Sequence, residues 1–278
     1  VQLYTAERLR AARDDRGNRG PADLIAGVSV GSLTALLAAQ DRLARLRQLW
    51  GEVDGTKFFQ RLAVDFNLLD GLYSLIPLRK KIRPELRHEL YAELRIGLVH
   101  LRGKRYRSVD AAELTRDQLA DALIASCTQP GIHEEVTFRG RKAGDGGLLH
   151  VLPYPEPLVE AEAVSDPDAG FYEAPPDADG LDRWTVHAVL CTPADRRHPP
   201  EQGKPVRSVG RALECLVDAV VLADVKRLQR WAALGAEVYL YAPPEWPGDP
   251  FDADRDTIRW RVDKVGPEVW ASRRRLDG

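Results

Sequence analysis

A layered α/β domain with loop insertions is the fold that the sequence predicts, and three observations predict it. A helix pattern over residues 1–13, an apolar strand at 22–26 and an apolar helix through 34–39 follow one another in the alternation of an α/β protein. Strand patterns recur at 95–101, 106–109, 136–138, 184–190 and 237–241, with helix patterns at 115–126 and 208–234 between them. The first strand passes into its helix through Gly27-Val28-Ser29-Val30-Gly31, a G-x-S-x-G turn.

That turn has a steric logic. Gly27 and Gly31 sit where strand and helix converge, and side chains there would collide. Ser29 is then exposed at the positive end of a helix, beside backbone N–H groups such as that of Val30. Such a turn can present a nucleophile and also stabilise an oxyanion. The plainer alternative is a serine that merely caps the helix.

Other elements follow in order. Residues 14–21 form a turn-rich connection into the first strand. The helical pattern resumes from Asp41 through Leu43, Leu46 and Leu49 to Trp50, with its arginines expected on a solvated face. Residues 51–84 are mixed, and Phe58, Phe59, Leu68, Leu69 and Leu72 could line an entrance or simply fill the core. Thr115 is the expected N-cap of the helix that Pro130-Gly131 closes off. Residues 140–147, containing Asp145-Gly146-Gly147, are expected as a turn-rich loop. Residues 153–182, rich in Pro, Glu, Asp and Ala, read as a surface insertion. Gly235 closes the long helix, and residues 252–266 read as a final amphipathic helix before a polar tail.

Composition narrows the partners. A net charge of -2 provides no global basic field, so nucleic acid is not an expected partner. Cys127, Cys191 and Cys215 lack metal-type spacing and read as reduced, buried thiols. His88, His100, His133 and His150 lack ligand spacing, so neither a metal nor another cofactor is expected. No stretch has the apolar length of a transmembrane helix. The chain opens at Val1 and contains no Met, so a segment upstream is expected and any targeting signal would lie there.

Two separated patterns then combine: Gly27-Val28-Ser29-Val30-Gly31 and, after the segment Ala125-Ser126-Cys127-Thr128-Gln129-Pro130-Gly131, Asp145-Gly146-Gly147. Their order resembles the patatin-like phospholipase family over roughly residues 1–153, with a weaker echo at Val238 and at Pro250-Phe251-Asp252. The resemblance implies an α/β/α sandwich around a mostly parallel sheet. It also implies a lipid acyl hydrolase with a Ser/Asp dyad, Ser29 as nucleophile and Asp145 as base, with Gly146 and Gly147 as motif support. Val30 would supply an oxyanion N–H. The family's first strand and Gly-rich oxyanion loop precede the helix with which this chain begins, so both are expected to be missing here. Two further departures are Ile132-His133-Glu134-Glu135, where an aromatic and prolines are usual, and Val151, where Asn is common.

The implied substrate is a lipid or acyl ester, with possible peripheral membrane contact and a cytoplasmic or peripheral location. One alternative is a catalytically impaired module that binds lipid or a protein partner. Another is a Ser-Asp-His hydrolase using His187 or His198, which would leave Asp145-Gly146-Gly147 unexplained.

Overall fold

Strand β4 (Glu93–His100) is the element on which the first half of the chain is built. Its alternate residues Leu94, Ile96 and Leu98 are completely buried, as the period-2 side-chain alternation of a strand allows. The computed structural model describes residues 2–14, 21–52, 60–61, 73–87, 89–165, 179–194, 208–245 and 255–277. His88, His198, Phe58, Phe59, Leu68, Leu69, Leu72 and Pro250-Phe251-Asp252 lie outside them.

One edge of β4 pairs antiparallel along 95–100 with β5 (Arg105–Asp110). The opposite edge is shared. Strand β1 (Leu24–Val28) runs parallel to β4 and ends with Val28 opposite Gly97. Strand β7 (Arg141–Asp145) runs antiparallel to β4 and ends with Asp145 opposite Leu98. The two strands therefore approach each other end to end, and their C-termini meet over neighbouring residues of β4. Strand β6 (Val136–Phe138) extends the sheet beyond β7.

Helices α2 (Val30–Ala39) and α5 (Arg116–Ser126) pack on this sheet through Ala35, Leu36 and Ala39 and through Leu119, Ala122 and Leu123. Burying each large aliphatic side chain contributes about 1.5–3 kcal/mol. Thr115 caps α5 as expected. Its hydroxyl accepts from the Gln118 N–H at 3.3 Å, and the Gln118 side chain accepts from the Thr115 N–H at 3.0 Å, a reciprocal capping box. Helix α1 (Gln2–Asp14) buries Leu3 against Leu37, Leu43 and Leu46. Leu43 and Leu46 belong to α3 (Leu43–Glu52), and before β4 come the short antiparallel strands β2 (Gln60–Arg61) and β3 (Tyr73–Ser74) and helix α4 (Ile76–Ile82).

A second sheet orders β10 (Arg274–Leu276), β9 (Glu237–Tyr241) and β8 (Thr185–Val189), with β8 and β9 parallel. Its core packs Val238 and Leu240 against Leu228 and Trp231 of α7 (Ser208–Ala233). Gly235 closes α7 with φ of 108°, the region that favours glycine. The whole is a mixed α/β layered structure of the class expected.

Several local expectations are corrected. Asp145-Gly146-Gly147 is not in a loop: Asp145 ends β7, because the ladders to β4 and β6 hold the backbone extended, and a 3-10 turn follows at Gly146–Leu148. Within 153–182, Glu156–Ser165 form helix α6, which buries Leu158, Ala161 and Glu162, so at least this part is core-packed rather than a surface loop. The final helical stretch is broken into α8 (Arg255–Trp260), a π-helical segment at Arg261–Val265 and α9 (Gly266–Ala271). The expected polar tail contains β10, recruited by the open edge of β9.

Nor are the arginines near α3 all solvated. Arg42 and Arg45 both bind the buried Glu85 carboxylate, at 2.8 and 2.6 Å. These bonds, that from Arg45 foremost, hold the Glu85 carboxyl below its ordinary range. Cys127 is buried, whereas Cys191 is exposed, and neither is in a disulfide.

Candidate active site

Ser29 occupies the junction between β1 and α2 with φ of 52° and ψ of -139°. A positive φ in a non-glycine residue costs about 1–3 kcal/mol and persists only where the surroundings hold it. The holding contacts are explicit. The Ser29 carbonyl accepts from the Ser32 N–H at 2.9 Å and the Ser32 hydroxyl at 2.6 Å. The Ser29 N–H donates to Ser126 Oγ at 2.9 Å, and the Ser126 hydroxyl donates onward to the Gly97 carbonyl at 2.7 Å. Gly27 lets the helix return close to the strand, since a Cβ there would lie 2.5 Å from the Gly31 carbonyl oxygen. At Gly31 a Cβ would meet only the Gln2 side chain, at 2.9 Å.

The opposing strand end delivers Asp145. Its N–H donates to the Thr128 carbonyl at 2.7 Å. Gly146 packs so closely that a Cβ would lie 2.7 Å from the Gly97 carbonyl. The Asp145 carboxylate is 3% exposed. It accepts a hydrogen bond from the Gly147 N–H at 2.7 Å, and the Ser29 and Gln129 side chains stand close enough to pull its pKa down as donors. Burial pushes its pKa up to about 6, against the opposing pull of those three donors. An ordinary aspartate is too weak a base for neutral pH, and burial moves this one toward the useful range.

Thus the fold brings Ser29, Gly27, Val30, Gly31, Asp145, Gly146 and Gly147 to one junction. Among the described residues, His187, His133 and His150 have other partners. His187, on β8, bonds the Tyr241 hydroxyl through Nδ1 at 2.9 Å and stacks on Tyr239. His133 Nδ1 accepts from the Gln129 N–H at 3.0 Å. His150 lies 3.2 Å from Asp224, a buried carboxylate on α7 that also accepts from the Tyr154 hydroxyl at 2.6 Å and the Leu152 N–H at 2.9 Å. That network anchors the chain just after Asp145-Gly146-Gly147 to α7. Among the described residues, no group of three or more His, Cys, Asp or Glu could hold a metal ion.

Neither Ser126 nor Gln129 carries a motif of its own in the sequence. The signal was a polar residue ending an otherwise apolar helix run, inside the segment 125–131 that carried the resemblance. Ser126 is fully buried, and Ser126→Ala should strand the Ser29 N–H and the Gly97 carbonyl. We expect a loss of about 1–3 kcal/mol, read by denaturant unfolding.

A strained serine at a strand-to-helix turn, set beside a buried aspartate on an α/β sheet, defines the class: an α/β protein with a serine and an aspartate at one junction. A sequence profile described as patatin-like phospholipase matches residues 2–158. The chain belongs to the patatin-like phospholipase family, a family of lipid acyl hydrolases. No curated protein matches the chain.

Proposed function

We propose that this protein is a serine-dependent lipid acyl hydrolase of the phospholipase A or lysophospholipase type, with Ser29 as nucleophile and Asp145 as its base. The observation that carries this reading is the meeting of the β1 and β7 ends on one edge of β4, which sets Ser29 beside the buried Asp145 carboxylate, near enough to act on its pKa as a donor. Ser29 Oγ attacks the ester carbonyl carbon while its proton passes to Asp145. The oxyanion formed lies at the start of α2, where the Val30 N–H is a donor. Collapse expels the alcohol, which takes the proton from Asp145, and leaves an acyl-serine. Water then gives a proton to Asp145 and attacks the acyl carbon; collapse frees the fatty acid as Ser29 Oγ takes that proton back from Asp145.

Exposed apolar side chains beside the pair suit an acyl chain: Val30 adjoins Ser29, and Leu148 and Leu149 follow the Asp145 turn. Peripheral contact with a lipid surface accords with that substrate class. No helix among the described residues is long and apolar enough to cross a membrane.

The test is hydrolysis of p-nitrophenyl esters, coupled to labelling by a fluorophosphonate and mapping of the labelled residue. Label on Ser29 supports the reading. Lipid binding with neither hydrolysis nor label supports the impaired module instead. Because Asp145 must be ionised to accept the proton, kcat/KM should rise with pH to a plateau, with an apparent pKa about 6. A profile rising only through the ordinary carboxylate range would count against a buried aspartate base.

A further inference from the structure

We propose that the cleft at the β4–β5 hairpin is a binding site for a phosphomonoester dianion, distinct from the Ser29–Asp145 junction. A cavity of about 390 Å³ is lined there by His100, Arg102, Arg105, Arg107, Arg141 and Lys142, with Gly103 at the turn and no carboxylate. A volume of that size suits a small ligand.

The strand register explains how so many cations gather. His100 pairs opposite Arg105 on one edge and Ala143 on the other, and Arg107 pairs opposite Leu98. Residues directly opposite share a face, so Arg105, Arg107, His100 and Arg141 project from the same side of the sheet. Arg102 and Lys142 also line the cleft.

The charges are also unspent. Lys142 pairs with Glu135, but Arg102, Arg105, Arg107 and Arg141 are exposed and pair with no carboxylate among the described residues. Nδ1 of His100 is buried without a partner. Burial, and then the neighbouring Arg141 and Arg107 charges, lower the His100 pKa, which attests how close those guanidinium groups stand. Like charges held together in a concavity focus a positive potential. Arginine forks match the paired oxygens of a phosphate.

An adjoining cavity, also about 390 Å³, shares His100, Arg107 and Arg141 but adds Asp110, Glu113 and Glu156. Those acids disfavour an anion there and leave the hairpin cleft as the site. Arg141 and Asp145 are the two ends of β7, about 13 Å apart along the strand, so the anion sits away from the reacting atoms.

The phosphate could be free or carried on a lipid, and the experiment separates these. The full chain is titrated calorimetrically with inorganic phosphate and glycerol 3-phosphate. In parallel it is co-sedimented with phosphatidylcholine vesicles containing phosphatidic acid, or phosphatidylglycerol at matched charge. Heat with the soluble probes assigns a free phosphate. Sedimentation with phosphatidic acid alone assigns a lipid headgroup.

Arg107→Gln with Arg141→Gln, and separately Arg102→Gln with Arg105→Gln, should each weaken the positive arm at least roughly tenfold. All four side chains are exposed, and unchanged melting confirms folding; if one pair unfolds, the other decides. The proposal is overturned if no probe binds, if phosphatidylglycerol binds as well as phosphatidic acid, or if binding survives the substitutions. Binding is also read on the Ser29→Ala chain, so the outcome is independent of the role proposed for Ser29.

Discussion

Ester hydrolysis by the Ser29→Ala protein is expected to fall by roughly 10⁴-fold or more, as when a covalent nucleophile is removed from a hydrolase. Asp145→Asn should come close to the same loss, because an amide cannot take up the proton. The asparagine oxygen can still accept from the Gly147 N–H, so the junction should remain folded.

Stability provides an independent check on Asp145. Its ordinary pKa is 3.8 and its folded value about 6, so between these values the folded state holds the extra proton. That contribution is fully present below pH 3.8 and is lost as pH rises through about 6. The gap corresponds to roughly 3 kcal/mol at about 1.36 kcal/mol per pH unit. Chemical unfolding of the wild type across this window should show the loss, and Asp145→Asn should not. Hydrolysis that survives both substitutions would remove the dyad, whatever the family.

The second large effect is expected at Gly27. A methyl group there would meet the Gly31 carbonyl at 2.5 Å and Ser32 Cα at 2.7 Å. These are backbone atoms in the first turn of α2, and they cannot swing aside as a side chain would. Gly27→Ala should cost about 3 kcal/mol of stability. It should also reduce hydrolysis on the order of 10²-fold, by displacing Ser29 from Asp145 by about 1 Å. Gly51→Ala is the internal control. That glycine lies in α3 with nothing within 4 Å of an added Cβ, so alanine there should stabilise by up to about 1 kcal/mol. Thermal melts of the two variants should move in opposite directions. Equal shifts would mean that the close approach of β1 and α2 is not what selects glycine at position 27.

Much of the secondary structure was legible because its causes are local. The period of the apolar residues marked β1, β4, α5, α7 and β9, and Thr115 and Gly235 marked ends through capping and a positive φ. The G-x-S-x-G turn was legible for the same reason at Gly27, which answers a clash within five residues; Gly31 does not, since a Cβ there would meet only the distant Gln2 side chain. What escaped was set by partners distant in sequence. Residues 141–145 look like turn residues, yet β4 and β6 hold them as a strand. Arg42 and Arg45 look like a solvated face, yet Glu85, some 40 residues on, draws both to itself. Ser126 gives no sign by itself that it will hold the Ser29 N–H from 97 residues away.

The amino-acid sequence by itself determined the α/β class, the strained serine turn and the two motifs that mark the family. Only the tertiary structure decided that β1 and β7 end against each other on one edge of β4, that Asp145 is buried, and that four arginines share one cleft. The physical reason is common to all three. Distance, burial and field depend on which strands lie side by side, and strand pairing is a long-range choice that no local pattern carries.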